Sequence, residues 1–157
     1  MPLVSLKELK ALLPAGKRLA GIDQSKNALG IALSNPELTL ATPLKTIPRK
    51  KFKDDVATLS ALAVEYAIAG FVIGLPLNMD GSSGPRTDSV KHFADNLLKE
   101  KEALGFDPLI TFFDERLSTH AAEQVLIDDL DLSRKKRAKV IDAQAAAQIL
   151  QGTLDSL

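Results

Sequence analysis

Residues 71–87 read FVIGLPLNMDGSSGPRT, and the fold turns on this stretch. Phe71 to Pro76 is apolar at odd and even positions alike, which suits a strand covered on both faces rather than one with a wet side. Asn78 to Pro85 is dense in turn formers, and Pro85 fits the first turn of a following helix. A central strand, a long loop at its C-terminal end and a helix are predicted in that order. Val90, Phe93, Ala94, Leu97 and Leu98 carry the helix onward as an apolar stripe, with Gly105 as its stop.

Upstream, RLAGID (18–23), LGIALS (29–34) and LTLATPLKTI (38–47) read as a meander of three adjacent strands, the first two joined by the polar QSKNA. Phe52, Val56, Leu59, Ala63, Tyr66 and Ala67 then recur at three and four residues, a core-facing helix with Gly70 as its stop. Before the meander, Ser5 and Glu8 have capping-box spacing ahead of Leu6, Leu9, Leu12 and Leu13, predicting a short helical clip over about 5–14. Downstream, LITFFDER (109–116) reads as a strand ending in acids, and Ser118 or Thr119 caps a helix through Val125 and Leu126. DDLDLSRKKRAK (128–139) follows as a charged connection to the alanine-rich helix IDAQAAAQIL (141–150). A meander followed by strand–helix alternation implies an α/β fold, a mixed five-stranded sheet with helices on both faces. That is the element order of the ribonuclease H-like fold.

The chain has 157 residues, within the range of one domain, which is the expectation for 1–157. It has no Cys, which excludes disulfides and thiolate metal sites. No stretch reaches the ~18 to 20 apolar residues of a membrane span, so a cytoplasmic protein without membrane contact is expected. Twenty Lys and Arg balance twenty Asp and Glu, which argues against a broadly basic nucleic-acid coat but leaves room for local patches. With 4% aromatic residues there is little material for base stacking, so backbone and shape readout is favoured over sequence-specific single-strand binding.

Asp23 ends the first strand, Asp114 and Glu115 end the last, and Asp142 lies in the final helix. In an open sheet the C-terminal strand ends converge at one rim, where ligands collect. Strand parity places Glu115, not Asp114, on the side of Phe113 and Thr111. Asp142 has Ala138, Lys139, Ala145 and Ala146 as helical neighbours, a small-residue face that permits close approach to a sheet. Crowded carboxylates repel one another unless a divalent cation neutralises them, and oxygen ligands suit Mg²⁺ or Mn²⁺. Such ions can activate a water for phosphodiester hydrolysis with no Ser, Cys or His nucleophile. Asp142 could instead complement the start of its helix, and Asp114 or Glu115 could be a solvated strand end.

GLPLNMDGSSGPRT (74–87) could cradle phosphate through loop amides at a helix N-terminus, with Arg86 as a bidentate donor and Asn78 as a side-chain amide; it could equally be a plain strand-to-helix loop. Two basic clusters stand out, Arg49, Lys50, Lys51 and Lys53, and then Arg134, Lys135, Lys136, Arg137 and Lys139. Asp128, Asp129 and Asp131 cancel part of the second cluster's field, but its position just before Asp142 would set it beside the acids. His92 and His120 have no ligand-like spacing and read as structural or surface residues.

VIGLPLNMDGSSGPRT and FDERLST, with GIDQSKNALGIALS and IDAQAAAQIL in support, are similar to the RuvX/YqgF family of bacterial ribonuclease H-like proteins from Leu19 to Leu150. The resemblance implies a metal-dependent nuclease whose acids fall on Asp23, Glu115 and Asp142, holding Mg²⁺ or Mn²⁺. The loop with Asn78, Asp80 and Arg86 lies beside them, and Arg116 joins the phosphate-binding set. It further implies maturation of the 5′ end of 16S ribosomal RNA, with cleavage of branched DNA (Holliday junctions) as the older proposal. The family pattern has Gly where Ser25 stands and a basic residue where Ala28 stands, and Gly permits a closer backbone approach to phosphate or metal. A catalytically silent rRNA- or ribosome-binding module is therefore an alternative. An ATPase of the actin and sugar-kinase type needs two domains, for which this chain has no room. Monomer and homodimer are both compatible, since symmetric junction cleavage needs a two-fold dimer and RNA trimming does not.

Overall fold

The computed structural model describes residues 3–25, 27–115 and 134–157, with side chains in the last stretch from 142 onward. The elements are α1 (Leu6–Leu12), β1 (Arg18–Gln24), β2 (Ala28–Ser34), β3 (Ala41–Pro48), α2 (Phe52–Tyr66), β4 (Ile68–Leu75), α3 (Pro85–Lys99), α4 (Lys101–Leu104), β5 (Leu109–Asp114) and α5 (Arg134–Asp155). The strands form one mixed sheet in the order β3-β2-β1-β4-β5. The meander β1–β2–β3 is antiparallel, and β4 and β5 add to β1 in parallel. The expected mixed five-stranded sheet, covered on both faces, is what the chain forms.

Strand parity divides the core. Ala20 and Ile22 of β1, Ile31 of β2 and Phe71 and Ile73 of β4 point to the side of α2 and α3, where they bury against Leu59, Phe93 and Leu97. Leu19, Ala32 and Val72 point the other way, against Ala146, Ile149 and Leu150 of α5 and Leu9 of α1. Each fully buried Leu, Ile or Phe contributes about 1.5–3 kcal/mol, so the double-sided apolar reading of 71–76 reports real burial on two faces. In α1 the capping box forms as its spacing implies, with Ser5 Oγ accepting from the Glu8 amide at 3.2 Å and Glu8 Oε1 from the Ser5 amide at 3.3 Å.

Three sequence expectations change. The third strand begins at Ala41 rather than residue 38, because Asn35 folds 35–40 into a turn: its Oδ1 accepts from the amides of Thr39 (2.8 Å) and Leu40 (3.0 Å), with Leu38 at φ 60°. Helix α2 stops at Ala67, in the left-handed region at φ 55°, where its carbonyl accepts from Arg18. Gly70 is a strand residue inside β4, in register with Leu19 and Leu109. The basic run from Arg134 is helical backbone, continuous with the alanine-rich segment, not a connection. The expected helix through Val125 and Leu126 lies outside the described residues.

Candidate active site

Asp23 stands at the end of β1, on the face that carries Leu19 and looks toward α5. Its register partner across the β1–β2 pair is Gly30. Directly over Gly30 runs the backbone of Asp142; a Cβ on Gly30 would collide with the Asp142 carbonyl oxygen and carbon and lie 3.1 Å from the Ala143 nitrogen. The alanine face of α5 lets the helix descend this far, and only glycine leaves it space. The turn carrying Asp142 thus lies above the strand adjacent to Asp23, one interstrand spacing of about 5 Å away. Asp142 is also more than two turns inside α5, which begins at Arg134, so it does not serve as a first-turn helix charge.

Glu115 follows β5 immediately. The intervening strand β4 carries Gly74, level with Asp23 since Ile22 pairs with Ile73. The Glu115 carboxylate folds back over Gly74, where any Cβ would overlap its Oε1, and hydrogen-bonds the Asp23 side chain. Two carboxylates in hydrogen-bond contact must share a proton. Burial pushes the Glu115 carboxyl from 4.5 up to about 8, with the Asp23 charge, the hydrogen bond to Asp23 and the Asp114 charge adding, and Arg86 opposing. Near neutral pH the pair is therefore singly protonated. A divalent cation takes a proton's place between such oxygens, and an all-oxygen donor set is the one Mg²⁺ and Mn²⁺ prefer. Among the described residues no three His, Cys, Asp or Glu side chains already converge on one point. The Asp23–Glu115 pair is preformed, with Asp142 next to it.

Across the rim of the sheet, on the α2/α3 side, opens a cavity of about 650 Å³. Gln24 and Ser25 at the end of β1, Arg49 and Lys50 after β3, and Pro85, Arg86 and Ser89 in the first turn of α3 form its walls. Arg86 serves both sides, lining the cavity and acting on Glu115. The loop 76–84 is held by its own polar groups. Asn78 Nδ2 donates to Ser82 Oγ at 3.0 Å, Ser82 Oγ donates to Asp80 at 2.6 Å, and Thr87 bridges the Gly84 amide and the Pro76 carbonyl. The Asn78 amide thereby spends one of its two donors within the loop. Arg116 and His120 lie outside the described residues, as do the side chains of Arg134, Lys135, Lys136, Arg137 and Lys139. Ser25, in place of the family's Gly, is not strained: its hydroxyl donates to the Ala28 carbonyl (2.9 Å) and accepts from the Ala28 amide (3.1 Å), closing the β1–β2 turn.

The packing over Gly30 gives a direct expectation. Gly30→Ala has to push α5 off the sheet, and overpacking against backbone costs about 3 kcal/mol, lowering the melting temperature by roughly 6–12 °C. Thermal unfolding followed by circular dichroism measures it; a shift under about 2 °C would show that α5 does not sit on this strand.

A mixed sheet in this strand order, with acids at its C-terminal rim, defines a protein of the ribonuclease H-like class. Two solved structures share the fold at a TM-score of 0.50: Thermus thermophilus RuvC in complex with Holliday junction substrate (13% identity, 89% of this chain and 94% of that one) and the fowlpox virus Holliday junction resolvase (12%, 89% and 99%). The chain belongs to the RuvX family, described as Holliday junction resolvase, which it matches over residues 17–156. Among its relatives, proteins named "Putative pre-16S rRNA nuclease" are 46% identical in Rhodospirillum centenum (all of this chain, 83% of the relative) and 48% in Roseobacter denitrificans (all and 94%). Another of that name, in Rhodobacter capsulatus, is 50% identical over 97% of this chain and 92% of the relative. No helix among the described residues is long and apolar enough to cross a membrane.

Proposed function

We propose that the chain is a divalent-cation-dependent nuclease that trims the 5′ end of pre-16S rRNA in the cytoplasm, with Asp23, Glu115 and Asp142 holding Mg²⁺ or Mn²⁺. The observation that supports it most is the Asp23–Glu115 pair, two half-buried carboxylates in hydrogen-bond contact over Gly74, whose like charges would repel were both ionised. When bound, the cation supplies an activated water and stabilises the leaving oxygen of the phosphodiester. The chain's own residues hold the reactants. Asp23, Glu115 and Asp142 would hold the ion, the first two giving up the proton they share and Asp142 contributing its carboxylate from α5. Arg86 neutralises phosphate charge next to them, and Asn78, Arg116 and the basic residues from Arg134 to Lys139 steer the polynucleotide backbone.

The family description favours a second substrate, the four-way DNA junction. Incubating the protein with precursor 16S rRNA and, separately, with a four-way junction, each with Mg²⁺ or Mn²⁺, decides between them. RNA cleavage is expected, lost in Asp142→Asn. Cleavage of the junction alone moves the assignment to DNA, and tight RNA binding without cleavage under either ion identifies a silent binding module.

A further inference from the structure

Beyond the acids, one cation among the described residues is held from several sides. Arg49 leaves β3 at its C-terminal end, and three groups fix its side chain. Its Nη1 donates to the Ser25 carbonyl at 3.2 Å. Its guanidinium lies 5.3 Å from the centre of the Phe93 ring. Its Nε faces Asp55 Oδ2 at 3.5 Å, an ion pair without hydrogen-bond geometry, and its own backbone amide donates to Asn27. Asp55 is 1% exposed, and its second oxygen accepts from the Lys50 amide at 3.2 Å. One buried carboxylate therefore orders both Arg49 and the backbone of Lys50. A carboxylate removed from water is costly, and structural needs alone are met more cheaply by an apolar side chain at that point of α2.

What this arrangement orders is the wall of the cavity. Arg49, Lys50 and Arg86 all line it, so three cations share one concave space, and among the described residues no carboxylate lines it. The guanidinium has five donors, of which the described residues engage only part, leaving a fork for a planar or tetrahedral anion. Gln24 and Ser25 on its floor are one and two residues past Asp23, about 3 to 7 Å along the strand. Each strand of a duplex rises about 3.4 Å per nucleotide along its axis, and neighbouring phosphates lie farther apart than that along the backbone, so the cavity is within reach of a phosphate adjoining the one at the acid pair.

We propose that Arg49, with Lys50 and Arg86, forms a subsite for a backbone phosphate next to the scissile one, and that Asp55 is the positioning residue that aims Arg49 into it. A polynucleotide crossing the rim of β1 would place one phosphate at the acids and another in this cavity, with Arg86 between them. This rests on the nuclease reading for its substrate class, but its test does not depend on turnover.

The test measures binding of a fluorescein-labelled RNA dodecamer in EDTA across a salt series. Each phosphate contact contributes about −0.7 to the log–log slope on a single strand. Arg49→Ala and the exposed Lys50→Ala should each weaken binding about tenfold and make the slope shallower by about 0.7. Lys10→Ala, which removes the same charge from α1 at the opposite end of the sheet, should leave the slope unchanged. Asp55→Asn is the decisive variant. It makes the protein more positive by one, so a diffuse electrostatic effect would tighten binding; loss of Arg49's aim weakens it and flattens the slope instead. Arg49→Lys should not rescue, since an ammonium cannot fork between Ser25 and phosphate. If Asp55→Asn does not fold, Arg49→Ala and Lys50→Ala still decide. Wild-type cleavage with unaltered slopes in those two variants overturns the subsite and leaves the nuclease standing. Slopes altered as described, in a wild type that cleaves nothing, uphold the subsite and remove the nuclease. A wild type that does not bind RNA removes both.

Discussion

Asp23→Asn is expected to reduce divalent-dependent cleavage by about a thousandfold or more while the fold persists. The carboxamide keeps the shape of the side chain and a hydrogen bond to Glu115, but it removes the charge that a cation requires. Losing one ligand from such a site removes on the order of 4 kcal/mol of transition-state stabilisation, and each 1.4 kcal/mol is tenfold in rate. The fold does not need that charge. Asp23 and Glu115 repel each other when both are ionised, so the substitution relieves the pair, and the melting temperature should hold or rise. Initial rates with Mn²⁺ on precursor RNA, beside a thermal melt, check both halves. Undiminished cleavage by Asp23→Asn would end the proposed mechanism.

A second large effect concerns pH and belongs to Glu115. Its carboxyl is raised from 4.5 to about 8, by burial first and by Asp23 second, so between those values the folded chain keeps a proton that the unfolded chain gives up. Stability from this group is complete below pH 4.5, declines through neutrality and is lost above pH 8. At about 1.4 kcal/mol per pH unit, the cation-free protein should lose up to about 4 kcal/mol between pH 5 and 8, reduced by solvent screening at the open side of the site. Urea unfolding in EDTA at several pH values measures the slope. Glu115→Gln carries its hydrogen permanently and should flatten the curve, leaving a protein more stable at pH 8 and inactive. Adding Mg²⁺ or Mn²⁺ to the native protein at pH 8 should restore stability, because the cation then occupies the proton's place. A pH-independent native protein with an unchanged Glu115→Gln would show that the two carboxylates do not meet.

Much of this arrangement is legible along the chain because it depends on parity and period. The two-sided apolar run at 71–76 marks β4 as central, and two-residue alternation puts Glu115 rather than Asp114 on the side of Asp23. The alanines around Asp142 give helix α5 its close approach. What the sequence conceals is register. Nothing local states that Gly30 is the partner of Asp23, or that Gly74 stands beneath Glu115; those facts arise from pairing strands remote along the chain. Turn chemistry also misleads. Asn35 spends its amide on the backbone and delays β3, while Ala67 takes a left-handed conformation that a reader assigns to Gly70. The anchoring of Arg49 leaves one trace that goes unused: Asp55 interrupts the apolar stripe of α2 between Phe52 and Val56. An acid on a buried stripe requires a cationic partner, and the basic cluster just before it supplies one.

Both margins of the sheet carry interruptions. At one, Pro43 and Pro48 deprive β3 of two donors; at the other, Leu3 bridges to Ile110 and the Val4 amide donates to the Ile110 carbonyl at 2.9 Å. Among the described residues each margin interrupts, over part of its strand, the row of amides and carbonyls on which a second chain adds itself strand by strand. Strand-by-strand addition of one copy to another is thereby disfavoured at those positions, where a flat, fully open edge would invite it.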